Sequence, residues 1–231
     1  MTEMLGPAEW TAIRLSLQVA LVATLATLPL AIWVAHLLAR KRFPGLQILN
    51  GIVHLPLVLP PVVTGYVLLI LFGQQGPIGQ FLQSALGFSF AFRWTGAALA
   101  AGIGTLPLSV RASRLSIVSV YPGLEAAAAT LGSSRWRVFT TVTLPLVFPG
   151  IIAGAVLGFA KALGEFGATI TFVAAIPGQT QTIPSAIYGL LQVPGSDPAV
   201  LGLVIVSITL ALGALLMSEW LTRRTSRKVA D

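Results

Sequence analysis

Long uncharged runs, broken by short basic clusters, organise this chain. Residues 15–39 contain no Asp, Glu, Lys or Arg, and the same holds for residues 43–92, 94–110, 138–160 and 198–218. A helix that crosses a bilayer needs about 20 apolar residues, with a range of roughly 17 to 25. The pattern therefore predicts five transmembrane helices, at about 12–38, 48–72, 94–113, 146–168 and 199–221. The second run is too long for one span, and Gly73-Gln74-Gln75-Gly76-Pro77 punctuates it into a span and an outer connector. The third span is short, and its flanking Arg93 and Arg111 can reach back to the interface.

Composition narrows the class. Of 231 residues, 55% are hydrophobic and only 9% charged, against about 25% charged in soluble domains. The mean hydropathy is +0.88. An ordinary soluble enzyme and a disordered tail are excluded. The net charge of +7 is not a nucleic-acid signature, because 14 basic residues are spread over apolar sequence. Eleven of those 14 fall on one side of a five-span bundle: Arg40, Lys41 and Arg42; Arg111, Arg114, Arg135 and Arg137; Arg223, Arg224, Arg227 and Lys228. The positive-inside rule then puts the C-terminus in the cytoplasm and the N-terminus outside. Six spans would split this partition. The segment before the first span is acidic, through Glu3 and Glu9, so the span is expected to be retained and not cleaved as a signal peptide. The expectation is an all-α, multi-pass protein of the cytoplasmic membrane, with residues 1–231 forming one transmembrane domain.

The cytoplasmic segment at about 114–144 is more than a linker. Tyr121-Pro122-Gly123 opens it, and Leu124-Glu125-Ala126-Ala127-Ala128-Ala129-Thr130-Leu131 is strong helix-forming sequence. Leu124, Ala128 and Leu131 recur at i, i+4 and i+7, one apolar stripe. Gly132 offers a left-handed stop. Ser133-Ser134 can cap a second short helix through Arg135-Trp136-Arg137-Val138-Phe139, and Pro145 marks the turn into the fourth span. Two readings follow: an amphipathic helix resting on the membrane surface, which Arg135, Trp136 and Arg137 favour, or a helix that docks another protein.

Within the spans a few residues stand out. Pro56, Pro60 and Pro61 remove donors and kink the second span. This gives either a bent structural helix or broken backbone lining a cavity. Lys161 and Glu165 are i, i+4 in the fourth span, and intramembrane ionisable groups face a bundle interior or a cavity, often paired. His54 and His36 read as packed or interfacial. Gly150, Gly154 and Gly158 form a small-residue face, suited to helix packing inside the subunit. The outer segment at about 176–198 is rich in Pro, Gly, Gln and Thr, with a short helix expected at 183–192. It reads as a connector or as a dock for a partner. With no Cys, two His and one membrane-buried acid, an intramembrane enzyme lacks the groups it needs. No catalytic residue, metal site or bound cofactor is assigned.

The loop carries a recognisable pattern. Ala126-Ala127-Ala128, then Gly132, then nine residues on Val142-Thr143-Leu144-Pro145, resembles the EAA loop of ABC-importer permeases. Glu125 stands one position ahead of that pattern's acid, with Ala126 in its slot. His54 to Tyr66, Thr130 to Phe139, Gly164 to Val173 and Thr182 to Tyr188 are similar to molybdate permeases of the type I ABC importers. The resemblance runs from Glu9-Trp10 to about Trp220. It implies an ATP-driven importer that works by alternating access, with tungstate or sulfate as alternative cargo. An ATP-independent channel or membrane scaffold is a more distant alternative. It implies four kinds of partner: a second copy of the chain, two ABC ATPase subunits, an extracytoplasmic molybdate-binding protein and the lipid bilayer. No nucleic acid is involved. The chain has no G-x-x-x-x-G-K-[ST] phosphate loop, so ATP is expected on the ATPase subunits. The resemblance further implies that Leu124, Glu125, Ala126, Ala127, Ala128, Leu131, Gly132, Arg135 and Arg137 couple to the ATPase. Pro60, Pro61, Thr64, Gly65, Lys161 and Glu165 are the candidates for the translocation pathway. There Thr64 and Gly65 would offer donors to an oxyanion, while Lys161 attracts it and Glu165 keeps it from binding too tightly.

Overall fold

The computed structural model describes residues 5–230, with side chains described for residues 5–221. Glu3 and the side chains of Arg223, Arg224, Arg227 and Lys228 lie outside what is described. Every regular element among the described residues is a helix: α1 (Pro7–Arg40), α2 (Leu46–Val58), α3 (Pro61–Phe72), α4 (Pro77–Leu86), α5 (Trp94–Ser119), α6 (Pro122–Thr130), α7 (Arg135–Val138), α8 (Leu144–Leu163), α9 (Gly167–Val173), α10 (Ile183–Leu190) and α11 (Asp197–Ala230).

Three helices are long and apolar enough to span a membrane by themselves: α1, α8 with its lead-in from Arg135, and α11. The bent pair α2 and α3 supplies a fourth. The fifth crossing is α5. It runs parallel to α1, with Arg14 and Trp94 lining one cavity at the outer end. At the other end, Arg40 donates to the Val120 carbonyl at 3.0 Å. Its 26 residues measure about 39 Å at 1.5 Å per residue. It tolerates a modest hydropathy because its Ala, Gly, Ser and Thr side chains are buried between α1 and α8, away from lipid.

The small-residue face of α8 packs on α5 in antiparallel register. A Cβ on Gly154 would meet Ala112 Cβ at 2.9 Å, one on Gly158 would meet Ser109 Oγ at 3.1 Å, and Gly150 abuts Ser116. This is contact inside the subunit, as the sequence suggests. Ser109 adds a hydrogen bond to the Gly154 carbonyl at 3.4 Å.

Several span boundaries differ from the sequence reading. The second span is not one kinked helix over 48–72; it breaks at Leu59-Pro60 and turns through 115°. Pro60 and Pro61 both lack N–H groups, so neither can continue the ladder from α2. The third span runs on from 113 to Ser119, because Arg114 stays within the helix by donating to Asn50 Oδ1 of α2 at 3.3 Å. The fourth span ends at Leu163 and not 168; Gly164-Glu165-Phe166 breaks it, and a separate helix, α9, starts at Gly167. Pro145 makes no turn. A π-turn over Phe139–Thr143 joins α7 to α8, with the Leu144 amide reaching back to the Phe139 carbonyl. That wider turn makes room for a residue with no amide hydrogen.

The outer segment is more ordered than a connector. The Thr180 hydroxyl donates to the Ala174 carbonyl at 2.9 Å and accepts from the Ile176 amide at 2.9 Å. The Ile183 amide donates to Ser16 Oγ at 2.7 Å, pinning α10 to α1.

Candidate functional site

Two places collect the residues singled out by sequence. The first is a cavity of about 110 Å³ where both broken spans meet, lined by Pro61, Thr64, Lys161 and Glu165 together with Gly104 and Ala168. A Cβ on Gly104 would stand 3.3 Å from Glu165 Oε2. Gly104 is ten residues from the start of α5 and fifteen from its end. The cavity therefore sits about 15 Å below the outer end of that helix and about 22 Å above the inner end.

The chemistry of this cavity is uneven. Lys161 Nζ donates to Glu165 Oε2 at 2.7 Å. Glu165 Oε1 accepts from the Ala168 amide at 3.1 Å. The carboxylate thus satisfies an otherwise unpaired donor in the first turn of α9 while neutralising the lysine. Glu165 is buried at 5% side-chain exposure, whereas Lys161 keeps 38%. An ammonium has three donors, and only one is used among the described residues. The Thr64 hydroxyl is buried with no hydrogen-bond partner among the described residues.

Gly65 does not face this cavity. Its missing side chain is filled by α9: a Cβ there would come within 2.6 Å of the Ala168 carbonyl oxygen and 2.9 Å of Thr171 Cβ. Gly167 mirrors it, with a Cβ falling 2.7 Å from Pro61 Cβ. Pro60 caps α3 at the break, one residue from the lining. The donors expected at Gly65 are therefore absent from the lining, and this glycine is a packing position. Sequence reasoning missed Gly104 and Ala168, whose only signal is membership of small-residue runs.

The second place is the cytoplasmic loop. Helix α6 buries no residue. Leu124 is 49% exposed, Leu131 87% and Trp136 74%; Ala126, Ala127, Arg135 and Arg137 are exposed and Ala128 half-buried. Gly132 sits at φ +84°. The Ser133 amide bonds to the Ala128 carbonyl at 3.3 Å and the Gly132 amide to the Ala129 carbonyl at 3.0 Å. This is a Schellman ending, with the glycine in its left-handed position. Ser134 then caps α7 by accepting from the Arg137 amide at 3.3 Å.

Glu125 turns inward from this exposed helix. Its Oε1 accepts from Thr143 Oγ1 at 2.7 Å and from Arg40 Nη2 at 3.3 Å. One carboxylate oxygen so ties α6 to the end of α1 and to the π-turn leading into α8. Thr143 is 1% exposed. Neither Arg40 nor Thr143 stands out in the sequence, where one reads as a topology charge and the other as part of a spacing pattern.

The chain thus has polar groups between its two broken spans and a helix, α6, that buries no residue among those described. The family model for the binding-protein-dependent transport system inner membrane component matches residues 27–227. The chain belongs to this family. Family membership and the apolar helices place it in the inner membrane. Among curated relatives, the chain is 56% identical over 215 residues to the molybdenum transport system permease protein ModB of Escherichia coli (strain K12), covering 93% of this chain and 94% of that one. The molybdenum permease ModB of Haemophilus influenzae is 54% identical over 223 residues, covering 96% and 97%. Among solved structures, a bacterial alginate ABC transporter in complex with its pentasaccharide-bound periplasmic protein superposes with a TM-score of 0.75 at 21% identity, covering 95% of this chain and 80% of that one. That last likeness concerns the fold alone.

Proposed function

We propose that this chain is the permease subunit of an ATP-driven molybdate importer, and that it passes the anion across the cytoplasmic membrane by alternating access. The likeness to molybdenum permeases over nearly the whole chain carries this reading. Molybdate is a dianion whose oxygens only accept hydrogen bonds. The mid-depth cavity supplies matching groups in the unused donors of Lys161 and the unpartnered hydroxyl of Thr64. Glu165 holds the local charge near neutral. The anion is then attracted but not trapped, since a site that stabilises cargo equally in every state moves nothing.

The exposed face of α6, from Leu124 through Gly132, with Arg135 and Arg137 beside it, is the docking surface for an ATPase subunit. ATP is bound there and not by this chain, which carries no cofactor of its own. Two permease copies and two ATPases form the transporter, and an extracytoplasmic molybdate-binding protein delivers cargo to the outer loops. The test is uptake into proteoliposomes that hold this chain with its ATPase and binding protein. ATP-dependent accumulation of labelled molybdate, competed by molybdate more strongly than by tungstate or sulfate, is expected. Uptake of sulfate in preference to molybdate, or uptake that needs no ATP, overturns the assignment.

A further inference from the structure

At the outer end of the bundle, α1 and α5 line two open cavities that follow one another along their seam. The upper one, about 370 Å³, is lined by Arg14, Gln18, Arg93, Trp94 and Gln179, among others. The lower one, about 410 Å³, is almost wholly apolar and runs down the α1–α5 seam past Val22, Ala26, Leu30, Phe88 and Ile103. Gln18 and Val22 are one helical turn apart, and Arg93 stands two residues before Thr95, which lines the lower groove. The guanidinium of Arg93, which lines the upper cavity, lies 5.7 Å from the centre of the ring of Phe88, which lines the lower one. From Val22 to Leu30 the groove extends about 12 Å along α1.

We infer that this face binds an anionic phospholipid of the outer leaflet, with its phosphate at Arg14 and Arg93 and one acyl chain in the groove. Among the described residues neither guanidinium has a hydrogen bond or an ion pair, and no acid lines either cavity. Arginine presents a planar fork of donors that matches phosphate. Two such groups at one mouth favour a headgroup with net negative charge over a zwitterion, whose ammonium they repel. Trp94, and Trp10 at 59% exposure, mark the headgroup level, where tryptophans concentrate. A carboxylate from a docked protein would explain the upper cavity and leave the groove beneath it empty; a phospholipid fills both.

The test is native mass spectrometry of the delipidated full chain, with added phosphatidylglycerol or phosphatidylcholine of identical acyl chains. The wild type should retain phosphatidylglycerol at least about fivefold better, as expected for two basic groups at an anionic headgroup. Arg14→Gln/Arg93→Gln should abolish that preference. Ala26→Trp, at an exposed groove position, should lower retention of both lipids with an unchanged melting temperature. Soluble glycerol phosphate should displace neither. Equal retention of the two lipids by the wild type overturns the inference, as does a preference that survives in the double variant. So do displacement by glycerol phosphate, a change of oligomeric state in Ala26→Trp, and loss of binding-protein capture in the double variant with lipid preference intact.

Discussion

Gly65 and Ala168 meet backbone against backbone where the two broken spans cross. The space for a side chain at Gly65 is taken by the Ala168 carbonyl oxygen, 2.6 Å from where a Cβ would sit. The contact is reciprocal, since the place of a Cβ at Gly167 lies 2.7 Å from Pro61 Cβ. Helices α3 and α9 are therefore keyed together at two points, beside the cavity lined by Thr64 and Glu165. Any motion that opens the cavity toward one side of the membrane must carry this pair as a unit or pull it apart.

That relationship gives the first prediction. Gly65→Ala forces backbone atoms apart, because nothing flexible is there to yield. It should destabilise the protein by about 1–3 kcal/mol, the usual cost of overpacking a well-filled interface. Gly167→Ala should cost a comparable amount, since it meets the rigid Pro61 ring at 2.7 Å and the Val62 amide nitrogen at 3.3 Å. Gly189→Ala, in helix α10 where a Cβ meets nothing within 4 Å, should be neutral or stabilise by up to about 1 kcal/mol, because alanine is the better helix former. Melting temperatures of the three variants in one detergent check the order.

How much of this could be read in advance depended on the kind of interaction. The spans were legible because lipid imposes a composition that charge gaps reveal. The stop at Gly132 and the cap at Ser134 were legible because they are local, with every partner within a few residues. The ends of α5 and α8 were not. Arg114 looks like a span terminus until its partner Asn50, 64 residues away, is known, and the break at Gly164 has no proline to announce it. Of the pathway candidates, Thr64, Lys161, Glu165 and Pro61 come together because each had a chemical reason to avoid lipid. Gly65 packs on α9 instead of lining the cavity; in sequence a glycine is equally consistent with an exposed amide and with close packing, and only the neighbouring helix decides.

The pairing of Lys161 with Glu165 can be separated from a role in transport. Lys161→Met leaves a carboxylate at 5% exposure with only the Ala168 amide for support. Removing one partner of a fully buried pair costs about 3–5 kcal/mol; here the lysine is partly solvated, so about 1–3 kcal/mol is expected. Lys161→Met/Glu165→Gln removes both charges and should restore most of the stability. If the lysine serves the anion, the double variant melts like the wild type yet takes up little molybdate. Uptake that recovers along with stability would reduce the pair to a structural bridge.

Thr143 and Arg40 hold Glu125 from two sides, and they should differ in what they support. Thr143→Val buries no charge but removes a 2.7 Å hydrogen bond at a site that is 1% exposed. A loss of about 1–2 kcal/mol is expected. Glu125→Ala cuts the tie between α6 and both of its anchors without touching the outer face of α6. The ATPase should still co-purify, while molybdate moved per ATP hydrolysed falls several-fold. Loss of co-purification would instead place Glu125 in the docking contact itself.

The outer face of α6 allows the most direct test of coupling. Ala127 is exposed, and α6 buries none of its side chains within the chain. A tryptophan there has room in the isolated subunit and should leave insertion and melting temperature unchanged, as surface substitutions generally fall within about 0.5 kcal/mol. Against a docked ATPase the same ring has no room, because a stripe of alanines permits an approach that a large side chain blocks. Ala127→Trp should therefore abolish ATPase co-purification and ATP-driven uptake together. Gly132→Pro should do the same by a different route, since proline cannot adopt the φ of +84° that turns the chain from α6 toward α7. If Ala127→Trp retains both the ATPase and full uptake, α6 is not the surface that the ATPase grips.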